Sequence, residues 1–209
     1  METAPIAKLL RPFAGDAELP PLLLEQLQRY LEVLLRWNAR INLTAVRDPE
    51  QIVTRHFGES LFAARVLFAE PPRSATLADV GSGGGLPGIP IKLFAPMIAL
   101  TLIESHQKKA TFLREVIRNL DLMDAEVFCG RAEEWKESAD VVTMRAVEKF
   151  ELTLPVVANL VAPGGRLCLM IGAAQSEAAR TLLDAGWKWE EPHPVPLSSG
   201  RVVAIANRD

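Results

Sequence analysis

Two cysteines and three histidines are spread over 209 residues, too few and too scattered for a metal centre or a disulfide scaffold. Cys129 and Cys168 both lie inside apolar runs, which predicts buried free thiols and a reducing, cytoplasmic setting. His56, His106 and His193 have no ligand spacing with either cysteine, so no metal is expected. No apolar run reaches the roughly 18 residues of a membrane span. The opening stretch, METAPIAKLLRPFAGD, lacks the basic leader and small-residue cleavage site of a signal peptide, and no membrane attachment is expected. Positive charge is also in short supply: 23 Lys and Arg stand against 26 Asp and Glu, a net charge of −3. That excludes coating of nucleic acid by bulk charge and leaves room only for a local basic patch. Internal repeats and low-complexity segments are absent as well.

What is present is ordinary for a globular chain, with 49% hydrophobic and 23% charged residues and a length suited to one good-sized core. Residues 1–70 show only helical periodicity and read as a helical cap belonging to the same domain as residues 71–209. PPLLLEQLQRYLEVLLRW starts on prolines and sets Leu24, Leu27, Leu31, Leu34 and Leu35 on one face. Asp48-Pro49 opens a second helix through EQIVTRHFGESLFAARVLF, and AEPPRS ends it. Beyond residue 75, short apolar runs alternate with helical segments, the pattern of βα units on a mostly parallel sheet. Strands are predicted at 76–80, 99–104, 125–129, 139–143 and 166–171. Ser105 is the predicted N-cap of the helix SHQKKATFLREVIRNL. GWKWEEPHP and RVVAIAN read as a terminal antiparallel hairpin, an ending that leans away from doubly wound dehydrogenases.

DVGSGGGLPGIP, residues 79–90, carries the first chemical signal. A strand running into Gly81, Gly83, Gly84 and Gly85 and then a helix makes a crevice at the carboxyl edge of the sheet, where open α/β sheets bind ligands. Glycine permits the sharp turn and removes the Cβ atoms that would hold a ligand off the backbone. A tight turn without a ligand is the competing reading. Glu104 ends the second strand about 20 residues later, where a carboxylate can accept bonds from both hydroxyls of an adenosine ribose. CGRAEEW follows the third strand and offers an amide and a carboxylate at the next place along the crevice. Dinucleotide sites favour G-x-G-x-x-G, with a glycine where Leu86 stands here. The spacing found is G-x-G-x-G, which suits S-adenosyl-L-methionine, a donor with no pyrophosphate. Tyr30, the one tyrosine, is far from any tyrosine–lysine pair, so dehydrogenase chemistry is poorly supplied.

No NPP or DPP followed by an aromatic occurs after the fourth strand, and no Pro-Cys pair occurs at all. An exocyclic amine and cytosine C5 are therefore disfavoured as methyl acceptors. Arg145 and Lys149, in TMRAVEKF, place positive charge near the crevice, suited to a carboxylate or phosphate. Arg29, Arg36 and Arg40 share one face of the long N-terminal helix, followed by Arg47, Arg55 and His56. Glu25–Arg29 and Glu32–Arg36 are equally readable as ordinary i,i+4 pairs. Lys108, Lys109, Arg114 and Arg118 form a second basic stripe.

RWNARINLTAV (36–46), RHFGESL (55–61), DVGSGGGLPGIP (79–90), RAEEW (131–135) and RAV (145–147) together resemble the RsmG (GidB) family of bacterial small-subunit ribosomal RNA methyltransferases, across nearly the full chain. The resemblance implies a class I, Rossmann-like fold: a mostly parallel seven-stranded sheet with a terminal antiparallel hairpin and an N-terminal helical cap. It implies methyl transfer from S-adenosyl-L-methionine to guanine N7 in the 530 loop of 16S rRNA. Carried over by position, Gly81, Leu86, Ala132, Glu133 and Arg145 would hold the cofactor, joined by Gly83 and Gly85 of the loop and by Glu104. Arg36, Arg40, Arg47, Arg55 and Lys149 are the candidates for contact with RNA. The expected partners are 16S rRNA and the small ribosomal subunit or its assembly intermediate, and the chain is expected to be a monomer. Guanine N7 has a free lone pair and no proton to lose, so no catalytic side chain is expected, only alignment of N7, methyl and sulfur. The family commonly has Lys-Gly at the end of the fifth strand, and this chain has Ile171-Gly172. A same-fold methyltransferase with another acceptor, an NAD(P)-dependent reductase and a non-catalytic RNA-binding module are the alternative readings.

Overall fold

A computed structural model describes residues 1–15, 18–68, 74–146, 149–183 and 185–209. The chain opens with α1 (Thr3–Ala14) and α2 (Pro21–Asn38), then α3 (Pro49–Ile52), which continues through a π-helical segment (Val53–Gly58) into α4 (Glu59–Leu67). As predicted, Asp48 caps this run, its carboxylate accepting the Gln51 amide at 2.9 Å ahead of Pro49. The α/β portion follows as β1 (Thr76–Val80), α5 (Gly88–Phe94), β2 (Ala99–Ile103), α6 (Gln107–Asn119), β3 (Ala125–Phe128) and a 3-10 turn (Ala132–Glu134). It continues with β4 (Ala139–Arg145), α7 (Phe150–Asn159), β5 (Val161–Gly172), α8 (Ala173–Leu182), β6 (Trp187–Trp189), β7 (His193–Pro194) and β8 (Arg201–Arg208).

The sheet runs β3-β2-β1-β4-β5-β8-β6. Its first five strands are parallel, and β8 is antiparallel to both β5 and β6. The expected seven-strand path is therefore present, with β7 added as a two-residue pairing on β8. Period-two alternation divides the sheet between two apolar layers. Leu77, Leu100, Val141, Cys168 and Val203 face the layer built by α1, α2, α4, α5 and α6. Ala78, Val142, Leu167, Leu169 and Ala204 face α7 and α8.

The differences from expectation are local. Helix α1 falls in the predicted helical cap, though no helix is predicted at these residues, and its Ile6, Leu10 and Phe13 are buried in the shared core. On α2 the buried stripe is Leu23, Leu27, Tyr30, Leu31 and Leu34, whereas Leu24 and Leu35 are only partly covered. Ser105 is not the cap of α6: the His106 side chain accepts the Lys108 amide at 3.2 Å and takes that role. Cys168 is buried, and burial pushes its thiol up to about 12. Cys129 is only half-buried and its thiol donates to Gln107 Oε1. The AEPPRS break lies outside the described residues except at its end.

Candidate cofactor and substrate site

Past Val80 the chain folds back on the end of β2, with the amides of Gly81 and Ser82 both donating to the Ile103 carbonyl at 2.9 and 3.1 Å. Gly85 has φ +80°, and a Cβ there would stand 2.4 Å from Ile89 Cδ1 and 2.8 Å from Tyr30 Oη. Gly83 has φ +54° and, apart from its own Gly81 carbonyl at 3.6 Å, nothing beside it. One glycine is thus required by packing against the protein and the other faces free space.

Three polar groups beneath the turn hold it. Tyr30, buried on α2, donates its hydroxyl to the Gly84 carbonyl. Asp79 accepts the Thr143 hydroxyl at 2.7 Å and the Gly88 amide at 3.3 Å, so it joins β1 to β4 and to the start of α5. Burial raises its pKa to about 6, with the Thr143 bond opposing. Glu104, only 6% exposed, accepts the Gly83 amide through Oε2 at 2.9 Å and the His106 amide through Oε1 at 2.7 Å.

Over the turn opens a cavity of about 470 Å³. Its floor is Gly81–Gly84 and Leu86, one wall is residues 43–46, and the far side is Ile171, Gly172, Val195 and Val202. The 43–46 wall is shaped by Asn38, a buried residue at the end of α2. Its Oδ1 accepts the amides of Leu43 and Thr44, and its Nδ2 donates to the Thr44 and Val46 carbonyls. Among the described residues, four cations, Arg55, Lys109, Arg145 and Arg201, line the cavity against one carboxylate, that of Glu59. Glu59, 3% exposed, lies between two of them: Oε2 is 3.2 Å from Arg145 Nη2 and Oε1 is 2.7 Å from Arg201 Nη2. Arg145 Nη2 also donates to the Arg55 carbonyl at 2.7 Å and lies 3.1 Å from His56 Nδ1. Burial, reinforced by the Arg145 charge, lowers the His56 pKa to about 3, so the imidazole is neutral. Its Nε2 meets Thr44 Oγ1 at 2.7 Å. A cavity of this lining attracts an anionic ligand and offers bare peptide at its base.

Of the sequence-predicted residues, Gly81, Gly83, Leu86, Arg145 and Arg55 do meet in this cavity. Gly85 stands behind the turn against Ile89 and Tyr30. Glu104 lies beneath it, bound to the Gly83 amide rather than freely presented. Ala132 and Glu133 occupy the 3-10 turn after β3 and line a separate recess with Trp135 and Leu160. Lys149 starts α7 beside Phe150 and Gln175, in a neighbouring groove. Arg36 is turned to α6, pairing with Glu115 at 2.5 Å in place of Glu32, and Arg29 binds the Asn119 carbonyl and Asp121 instead of Glu25. Arg40 and Arg47 are exposed and do not line the cavity. Val147 of the RAV stretch falls outside the described residues.

Sequence reasoning missed Glu59, Thr44 and Arg201. Glu59 reads as a helix-surface acid and becomes buried where α4 packs on β5 and Arg145 and Arg201 close over its carboxylate. Arg201 sits opposite Gly172 in the β5–β8 register, so the antiparallel hairpin delivers a cation beside the Ile171-Gly172 pair. Among the described residues no group of three or more His, Cys, Asp or Glu is placed to hold a metal, and no helix is long and apolar enough to cross a membrane.

A parallel sheet closed by an antiparallel hairpin, with a glycine turn tied to an acid after the second strand, defines a class I, Rossmann-like methyltransferase fold. Solved structures of similar shape include a putative S-adenosyl-L-methionine-dependent methyltransferase from Methanococcus maripaludis, with TM-score 0.61 and 14% identity over 76% of this chain and 89% of that one. Another is the ribosomal protein L11 methylase of Lactobacillus delbrueckii subsp. bulgaricus, with TM-score 0.58 and 16% identity over 75% and 79%. Within that class the chain belongs to the GidB family, described as rRNA small subunit methyltransferase G, whose model matches residues 23–190. It is 41% identical to ribosomal RNA small subunit methyltransferase G of Xanthomonas campestris pv. campestris, over 99% of this chain and 95% of that one. To the Stenotrophomonas maltophilia protein of the same name it is 43% identical, over 87% and 82%.

Proposed function

We propose that this protein transfers the methyl group of S-adenosyl-L-methionine to N7 of a guanine in the 530 loop of 16S rRNA, acting on the small ribosomal subunit or its assembly intermediate in the cytoplasm. The observation that carries the reading is the juxtaposition of a bare peptide turn at Gly83, anchored on Glu104, with a cationic cavity directly above it. The turn suits the nucleoside end of the donor. Each Glu104 oxygen has spent one lone pair on a backbone amide and keeps another for a ribose hydroxyl. Gly81 and Leu86 would shape the rest of that seat with Gly85 supporting it from behind, and Arg145 would close the end toward the acceptor. Ala132 and Glu133, in a recess of their own, would reach the donor only at its edge. Arg55 at the cavity, with Arg36, Arg40, Arg47 and Lys149 elsewhere on the surface, would meet the RNA phosphates.

The chemistry asks little of any one side chain. N7 attacks the methyl carbon as the C–S bond breaks, with no proton to remove, so rate comes from alignment and from the field around a positive charge moving from sulfur to base. His56, neutral at working pH, is not required as a base. Calorimetry should show binding of S-adenosyl-L-methionine and S-adenosylhomocysteine and none of NADH; tight NADH binding would instead make the fold a reductase. Mass mapping of small-subunit rRNA from cells lacking the protein should show the N7 methyl missing from the 530 loop. An unchanged methyl there refutes the acceptor. Alanine variants across the cavity should each lose rate in part, and a carboxylate or histidine indispensable to turnover but not to binding would overturn the positioning mechanism.

A further inference from the structure

Thr44 lies in the loop between α2 and α3, partly buried. Arg145 is a permanent donor and its Nη2 lies 3.1 Å from His56 Nδ1, so a hydrogen on Nδ1 would face the guanidinium and the geometry favours Nδ1 as the acceptor. In that form the neutral ring carries its hydrogen on Nε2 and gives it to Thr44 Oγ1, 2.7 Å away. The Val46 amide donates to the same oxygen at 3.1 Å. Both lone pairs of Oγ1 are then occupied, and the hydroxyl hydrogen has no acceptor among the described residues. Thr44 and His56 both line the cavity over the glycine turn.

We propose that Thr44 is a specificity-determining donor, giving its hydroxyl hydrogen to an oxygen acceptor on the edge of the base that enters the cavity. The chain Glu59–Arg145–His56–Thr44 makes this hydroxyl one-directional: it can donate and cannot accept. A purine with a carbonyl beside the attacked nitrogen satisfies it, and a purine with an amino group there presents a second donor and leaves two hydrogens opposed. The inference rests on the reading of the cavity as the seat of a guanine acceptor. His56 and Arg145 act here as positioning residues.

Two measurements test it. First, nitrogen chemical shifts of the His56 ring in the free protein should report hydrogen on Nε2 and none on Nδ1. Hydrogen on Nδ1 would let Thr44 donate to Nε2 and overturns the proposal without any substrate. Second, methylation kinetics should be compared for the wild type and Thr44→Val on small-subunit RNA carrying either guanine or 2-aminopurine, which keeps N7 and lacks the carbonyl, at the target position. Loss of a single neutral hydrogen bond corresponds to roughly a three- to tenfold fall in kcat/KM. Wild type should lose that factor on 2-aminopurine, Thr44→Val should lose it on guanine, and the combination should lose nothing more. Thr44→Ser should restore the wild-type pattern. Multiplying losses mean that Thr44 acts only on loop structure and sink the proposal, with guanine methylation by the wild type still standing. Failure of the wild type to methylate the guanine at N7 removes the acceptor reading itself.

Discussion

At the scale of residues, Gly83 and Gly85, two of the turn's three glycines of positive φ, separate folding from binding. Alanine at Gly83 meets no clash, so Gly83→Ala should cost about 1 kcal/mol of stability from the left-handed backbone alone, while placing a methyl in the space the donor needs. Calorimetry should then show a loss of S-adenosyl-L-methionine affinity far larger than that. Gly85→Ala adds contacts of 2.4 and 2.8 Å to the same backbone strain and should cost about 3 kcal/mol, visible as a fall in the denaturant midpoint. Equal stabilities for the two variants would contradict this division. Asp79 supplies a pH signature. Its folded pKa, about 6, lies above the ordinary 3.8, so between those values the native state holds more protons than the unfolded chain. Stability from this group is present at low pH and is lost as pH rises through 6. Asn at this position keeps an acceptor for the Gly88 amide and reverses the other bond, donating its amide hydrogen to the Thr143 hydroxyl. Unfolding curves of Asp79→Asn across pH 4–7 should therefore lack that decline.

Elements decide what the residues can reach. The segment between α2 and α3 has no regular structure of its own, and its four bonds to Asn38 substitute for a ladder. Asn38→Ala leaves those amides and carbonyls without partners in a partly buried place and should cost about 2 kcal/mol. The larger effect should fall on RNA methylation, since Thr44, Ala45 and Val46 line the cavity while the glycine turn rests on other supports. Calorimetric affinity for the donor should change little as kcat/KM on RNA drops; an equal loss in both would mean that the loop serves the donor. Asn38 is buried as the last residue of α2 and organises the loop that follows it. The helix after Asp48 was legible in the sequence, because cap and proline are local signals. The π-helical segment inside it was not. His56 lies within it and Glu59 directly after it, both in contact with Arg145 of β4, and apolar periodicity does not encode the change of helical winding.

The whole molecule joins the helical segment to the sheet through one apolar cluster in which Tyr30, Leu34 and Phe57 pack with Ile89, Phe112 and Val203. We propose that residues 1–70 and 71–209 unfold together. Native-state hydrogen exchange should give the Leu34 amide of α2 and the Val203 amide of β8 the same limiting opening free energy. Distinct values would mark the cap as a separate unit. At this scale the charge pattern also resolves: a chain of net charge −3 gathers four cations around one cavity, which favours a shaped RNA site over general affinity for nucleic acid.

Strand positions, the glycine turn and the acid after the second strand were readable from the chain alone, because each follows from periodicity or from a short motif that specifies its own backbone. The sense of the terminal hairpin was readable for the same reason. The anion-seeking half of the site was not. Glu59 lies 86 residues from Arg145 and 142 from Arg201, and no local pattern links them. Sheet register and the packing of α4 bring the three into contact, just as they turn Arg36 to α6 and leave Ala132 and Glu133 in a recess of their own. Backbone conformation is encoded nearby in the chain, whereas a cluster of charges is assembled by contacts whose partners only the folded core selects.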